Sequence, residues 1–151
     1  MTDTAHDTAI TLTRPTVSAS LATALIAAAE RASVAAGLRM SLAVIDESGL
    51  LKAFHRMDGA SFTSGSVAQD KAFSAASGRP THAWHAALEA DAVLGAGARS
   101  AIPRLVTLGG GYPVIVAGEL VGGLGVSGGH YTQDMDVAVA ALAEIGARSD
   151  W

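Results

Sequence analysis

The sequence predicts a single α+β domain in which helices lie against an antiparallel sheet. Three observations predict it. A length of 151 residues suits one domain, and a chain of this size buries roughly 70% of its unfolded surface. Segments with apolar residues three and four apart alternate with short runs that read with a period of two. Those short runs come in pairs too closely spaced for the crossover that parallel neighbours require, so each pair reads as a hairpin.

Residues 1–15 are rich in Thr and Asp, and the spacing of apolar residues predicts no packed element there. They are expected to form a flexible tail ending at Pro15, with His6 as a solvent-exposed bystander, and residues 16–151 to form the domain. From Thr16 or Ser18 to Ala36 the residues Leu21, Leu25, Ala28, Ala32 and Ala35 recur at helical spacing, with a Ser or Thr available as N-cap and Gly37 placed to end the helix. Residues 40–46 (MSLAVID) and 50–57 (LLKAFHRM) read as a hairpin joined by Glu47, Ser48 and Gly49. In the second of these strands Leu51, Ala53, His55 and Met57 share a face opposite Lys52, Phe54 and Arg56.

Asp58 and Gly59 break that strand, and a second helix is expected from Ser61 or Thr63 to Ser77, closed by Gly78. Lys71 falls on the same face as Val67 and Ala75. It is read either as a snorkelling lysine paired with a carboxylate such as Asp46 or Asp58, or as an anion-binding or carbonyl-activating lysine whose pKa burial depresses. Residues 82–89 read as a short helix carrying His82 and His85 on one face with Trp84 beside them. Residues 91–103 read as a loop or a short irregular helix, and 105–108 as a strand leading into a glycine-rich stretch. The final helix is expected from 130 to Gly146, with Thr132 as N-cap and Val137, Ala141, Leu142 and Ile145 on its buried face.

The glycine-rich stretch, residues 109–129, holds nine of the 17 glycines. Residues 113–116 and 120–126 read as its two strands, with Ala117, Gly118 and Glu119 as the reversal. A strict period of two puts Leu120, Gly122, Leu124 and Val126 on one face and Val121, Gly123 and Gly125 on the other. The second face is nearly bare. Because glycine loses the most backbone freedom on ordering, something must lie against that face: a helix, a partner subunit or a flat ligand.

Composition excludes several classes. The 10 basic residues are scattered singly and the net charge is −4, so there is no stripe with which to track a phosphate backbone, and no nucleic acid partner is expected. No apolar run approaches the ~18 residues of a membrane span, and the first residues lack the basic and apolar regions of a signal peptide. With no cysteine there is neither a disulfide framework nor a thiolate metal site, which points to the cytoplasm. Two histidines three apart can share a metal, but a zinc centre takes at least three protein ligands, and no metal site is expected. Aromatic residues are 5% against 50% hydrophobic, so the core must be packed from small side chains.

VIDESGLLKAFHRMDGA, DKAFSAASGRPT, GGGYPVIVAGELVGGLGVSGG and QDMDVAVAAL, in this order and spacing, resemble the haem-binding-protein-like family, which includes the glycolate-operon protein of unknown role and the C-terminal domain of some corrinoid adenosyltransferases. The match covers about residues 16–146. The resemblance implies an antiparallel sheet of about five strands flanked by helices, a homo-oligomer, and in some members the binding of haem or a corrinoid. Asp46, Gly49, Arg56, Met57, Asp58, Gly59, Lys71, Gly78, Arg79, Pro80, Gly110, Gly111, Pro113, Gly118, Gly125, Ser127 and Gly128 match its pattern. This chain departs from it in carrying His82, Trp84 and His85 where small residues are usual, and His130 and Tyr131 after the terminal Ser-Gly-Gly.

Two functions follow as expectations. One is an oligomeric small-molecule-binding protein for haem, a corrinoid or another metabolite, with His82, His85, His130 and Met57 as candidate axial ligands. Its ligand-contacting set is Arg56, His82, Trp84, Gly110, Gly111, Tyr112 and Tyr131. The other is a cofactor-independent enzyme of secondary metabolism doing acid–base chemistry on an aromatic or carbonyl substrate: an isomerisation, an elimination or a cyclising condensation. His85, His130, Asp58 and Lys71 would be its catalytic residues. Both expect His82, His85 and His130 to line one cleft, and the enzyme expects Lys71 and Asp58 there too.

Overall fold

The computed structural model describes residues 10–151, so the start of the expected tail, with His6, lies outside the described residues. Residues 10–16 are exposed and without regular structure, and Val17 is the first buried residue.

The elements run α1 (Ala19–Ala35), β1 (Ser41–Asp46), β2 (Leu51–Arg56), α2 (Phe62–Ala75), α3 (Thr81–Ala90), α4 (Ala92–Ala101), β3 (Gly111–Val116), β4 (Glu119–Ser127) and α5 (Tyr131–Glu144). The sheet is antiparallel with strand order β2-β1-β4-β3. Among the described residues it has four strands where about five were expected. The missing strand is 105–108: the Ser74 hydroxyl accepts from Val106 N–H at 2.8 Å and donates to Arg104 C=O at 3.1 Å. Backbone groups that would have extended the sheet are therefore served by α2.

Helices cover both faces. Alternate residues of β1 point in opposite directions, so Leu42 and Val44 join the large core beneath α1 and α5, while Ala43 and Ile45 meet Ala68 and Ala72 of α2. The bare face expected on β4 exists, and α2 is what lies against it. A Cβ placed on Gly123 would stand 2.1 Å from Ala72 C=O, and one on Gly125 1.9 Å from Ala68 C=O. Ala68 and Ala72 are small for the same reason, since backbone meets backbone there.

The strict alternation assigned to β4 fails at one point. The pairing with β3 shifts between Val114 and Ile115, leaving Val121 opposite no residue. This bulge turns Val121 into the core beneath α1 and α5, while the Leu120 side chain stands 3.6 Å from the Cβ position of Gly78, just beyond α2. Val121 C=O then accepts from Val17 N–H at 2.9 Å, tying the chain ahead of α1 to the sheet. A second shift, between Val44 and Ile45, sets Leu51 opposite Ile45 and so breaks the face shared by Leu51, Ala53 and His55 in the same way.

Local chemistry sets most boundaries. The Ser18 hydroxyl caps α1 by accepting from Leu21 N–H. Gly37, at φ +70°, closes it with Gly37 N–H on Val34 C=O and Leu38 N–H on Ser33 C=O, the paired bonds of a Schellman motif. Ala117 and Gly118, at φ +50° and +80°, form a two-residue turn of type I′ sense between β3 and β4. Residues 91–103, read as loop or irregular helix, contain the regular helix α4, because Asp91 accepts from both Val93 N–H and Leu94 N–H. At α5 the N-cap is His130 and not Thr132: imidazole Nδ1 takes the place of the usual oxygen, and Gln133 reaches back to His130 N–H at 2.9 Å to complete a capping box.

Candidate functional site

α3 and α4 form a helical hairpin beside β3, and between it, segment 105–109 and the start of α5 lies a cavity of about 370 Å³ lined by His82, His85, Arg99, Thr107, Leu108, Gly109 and Tyr131. Helical spacing aims His82 and His85 at the same space. Leu108 is largely exposed and Tyr131 half-exposed, so the cavity has an apolar and an aromatic wall that water reaches. Its volume lies near the lower end of small-molecule sites.

The two histidines differ. His85 is exposed. His82 packs its ring 5.6 Å, centroid to centroid, from the buried ring of Tyr112, and its Nδ1 is buried with no hydrogen-bond partner among the described residues. Burial pushes the His82 pKa down, so the imidazole is neutral at pH 7 and can offer a lone pair. Burial, and secondarily the negative charge of Asp136, pushes the Tyr112 phenol up to about 12, so it stays neutral as well.

Beneath Gly109 and Gly110 lies a sealed ion pair. Lys71 Nζ donates to Asp134 Oδ2 at 2.6 Å and to Val126 C=O at 3.0 Å, and Gly129 N–H donates to Asp134 Oδ1 at 3.0 Å. Both side chains are almost wholly buried. Burial pushes Lys71 down and Asp134 up, each opposed by the charge and hydrogen bond of the other. A Cβ on Gly110 would stand 2.9 Å from Lys71 Nζ and 2.7 Å from Asp134 Cβ, and one on Gly111 2.5 Å from Lys71 C=O. Gly110 and Gly111 thus make room for the pair and for α2.

Several expected site residues fall elsewhere. Lys71 pairs with Asp134 and not with Asp46 or Asp58, and it is walled off from the cavity. Asp58 lines a separate hollow with Glu30, Arg39, His55 and Met57, across the sheet at the β2 edge. Met57 is buried, and its sulfur accepts from Met40 N–H at 3.4 Å, which removes it as an axial ligand. Arg56 donates to Ala60 C=O, closing the turn after β2. Trp84 is turned away from the cavity: its indole N–H reaches Ser77, and the Arg79 guanidinium lies 4.7 Å over its ring. Tyr112 backs His82 and does not reach the cavity wall. His130 caps α5 and stacks 4.3 Å from the Tyr131 ring, one residue outside the lining.

Of the expected cluster, then, His82, His85 and Tyr131 come together, while Lys71, Asp58 and His130 do not join them. Sequence reasoning missed Arg99 as a lining residue, because its segment was not assigned to a regular helix. It also missed Asp134 as the partner of Lys71, since the two are far apart in the chain and only the packing of α2 and of the start of α5 against β4 unites them. Among the described residues no group of three or more His, Asp or Glu side chains is arranged to hold a metal ion.

An antiparallel sheet with helices on both faces makes this a small α+β domain, with the cavity lying at one end of its sheet. The chain belongs to the family described as haem degrading protein HbpS-like, whose pattern it matches over residues 17–143. It is similar to the corrinoid adenosyltransferase PduO of Citrobacter freundii, at 36% identity over 109 residues covering 72% of this chain. That match spans about a third of PduO, 32% of its length. It is also 36% identical to protein GlcG of Escherichia coli over 115 residues, 76% of this chain and 84% of GlcG. Among solved structures, the PduOC:heme complex superposes with a TM-score of 0.80 at 30% identity, covering 90% of this chain and 99% of that one. No helix among the described residues is long and apolar enough to cross a membrane.

Proposed function

We propose that this protein binds haem or a similar flat macrocycle in the cavity between α3, α4 and the start of α5, and that it does so as a homo-oligomer in the cytoplasm. The observation that carries this reading is the convergence of two imidazoles, a guanidinium and an aromatic ring on one cavity. Histidine is one of the side chains that hold haem iron, and both His82 and His85 offer a ring nitrogen at the cavity. The buried, unpaired Nδ1 of His82 supports the fit, because a buried polar atom without a partner costs free energy that a ligand or water recovers. Tyr131 and Leu108 offer the aromatic and apolar contacts that a macrocycle needs. Membership of a family named for haem, together with likeness to a haem-complexed domain, supports the same choice.

Titration with hemin tests this. The wild-type protein is expected to shift the hemin absorbance band at stoichiometric ligand, and His82→Ala or His85→Ala to alter that spectrum, whichever residue ligates. No shift in the wild type would end the haem reading, and a shift with a cobalamin instead would transfer the site to corrinoids.

A second reading rests on the neutral state of His82. An imidazole held unprotonated at pH 7 beside an open cavity is suited to accept a proton, with exposed His85 as the donor. Of the residues expected to be catalytic, His85 remains at this site. Turnover of an aromatic or carbonyl substrate by metal-free protein, lost in both histidine variants, would favour it over binding alone.

A further inference from the structure

We propose that the cavity selects ligands bearing a carboxylate, that Arg99 is the residue that reads it, and that Glu89 holds the place of the ligand's carboxylate until it arrives. This deepens the binding reading above and rests on it for the location of the site.

Arg99 lies on α4, and the way α4 meets α3 fixes where it points. A Cβ on Gly95 would stand 2.5 Å from Leu88 C=O, so the two helices touch backbone to backbone there, and Ala98 is buried at the same crossing. Gly95 and Arg99 are one turn apart, which puts the arginine on the side of α4 facing α3 and the cavity. Its guanidinium is the single cationic group that is charged at every working pH among the lining residues.

That group has little to do in the structure. Its one described partner is Glu89, on the last turn of α3, at 3.6 Å between Arg99 Nη2 and Glu89 Oε1. This is too long for a hydrogen bond, and both side chains are about half-exposed. Such a pair contributes little to stability. It also sits poorly on α3, because a carboxylate at a helix C-terminus opposes the helix dipole. A guanidinium presents five donors in a planar fork that matches a carboxylate bidentately, and a loosely held glutamate leaves that fork available.

A ligand carboxylate entering the cavity can therefore take Arg99 from Glu89 at small cost, with its conjugated body against Tyr131 and Leu108. The ligand class is a flat aromatic or macrocyclic carboxylate. Haem carries carboxylates and is one member; an uncharged macrocycle of the same shape is not.

The test compares hemin with its dimethyl ester, and metal-free protoporphyrin IX with its dimethyl ester, in wild type, Arg99→Gln and Glu89→Gln. Affinities are read by absorbance for hemin and by porphyrin fluorescence for the metal-free pair. Wild type is expected to favour each acid over its ester by about 10- to 100-fold, the range of one charge-assisted pair. Arg99→Gln is expected to erase most of that preference by weakening acid binding far more than ester binding, and Glu89→Gln to tighten acid binding. Equal affinity for acid and ester in wild type, an unchanged preference in Arg99→Gln, or weaker acid binding in Glu89→Gln would overturn the proposal. If hemin fails to bind while metal-free protoporphyrin IX binds with Arg99-dependent preference for the acid, the haem reading falls and this one stands. If neither acid binds, both fall.

Discussion

Lys71 shows how much one residue's meaning depends on its surroundings. As a lysine on an alanine-rich helix face it was open to a catalytic reading, and the structure instead buries it against Asp134, Val126 C=O and the glycines at 110 and 111. Taking two charges out of water is costly, and a pair of this kind stabilises the fold less than its short distance suggests. What it does strongly is penalise the loss of one partner. Lys71→Met alone leaves an unpaired buried carboxylate and should cost about 3–5 kcal/mol in chemical denaturation. Lys71→Met with Asp134→Asn should recover most of that loss, because the amide still accepts from Gly129 N–H while the stranded charge is gone. Equal destabilisation in the single and double variants would show that packing, not charge, sets the penalty. Neither outcome involves the cavity, so hemin affinity at a temperature where the variants remain folded should be unchanged.

Among the elements, the contact of α2 with β4 organises the rest. Two glycines on the strand and two alanines on the helix let backbones approach until no Cβ fits between them. Gly125→Val should therefore behave as more than ordinary overpacking, which typically costs about 1–3 kcal/mol. The obstacle is the carbonyl of Ala68 and cannot rotate away, so the expected result is a loss at or above the top of that range, read as a lowered melting temperature. Gly97→Ala, on α4 where a Cβ meets nothing within 4 Å, is the matched control and should leave the melting temperature unchanged or raise it. Much of this element was legible: the bare face of β4 demanded a close neighbour. What stayed hidden was which neighbour, since a helix, a subunit and a flat ligand all satisfy a bare face equally. The bulge at Val121 was hidden too, because a period of two carries no mark of where one residue drops out of register.

At the scale of the molecule, the sheet of the described residues ends at β2, with no further strand beside it among them. Leu50 and Leu51 are half-exposed or more, Phe54 is exposed over about two-fifths of its surface (41%), and Phe62, at the start of α2, is nearly fully exposed. An open strand edge bordered by large apolar side chains is a surface that proteins usually cover. The expected outcome is a homo-oligomer at micromolar concentration, measured by light scattering, with Phe54→Ser and Phe62→Ser shifting it towards the 15.1 kDa protomer. A monomer in the wild type would show that Lys52, His55 and Arg56 along this edge suffice to keep it apart from its copies.

The sequence by itself determined four of the five helices, two hairpins and most of their ends, because helix periodicity, Ser18, Gly37 and the Ala117-Gly118 turn act through neighbours a few residues away. It determined the family for the same reason, since motifs in register survive when each glycine or proline answers to its own backbone geometry. The fifth strand it predicted gave way to Ser74, a residue 32 positions from the Val106 it binds. The tertiary structure alone decided which titratable groups meet. It sent Lys71 to Asp134, Asp58 to the far edge of the sheet and His130 to the cap of α5, and it brought Arg99 to His82 and His85. Those choices rest on how helices pack across a sheet, where a shift of one turn exchanges one side chain for another, and no local pattern along the chain records that distance.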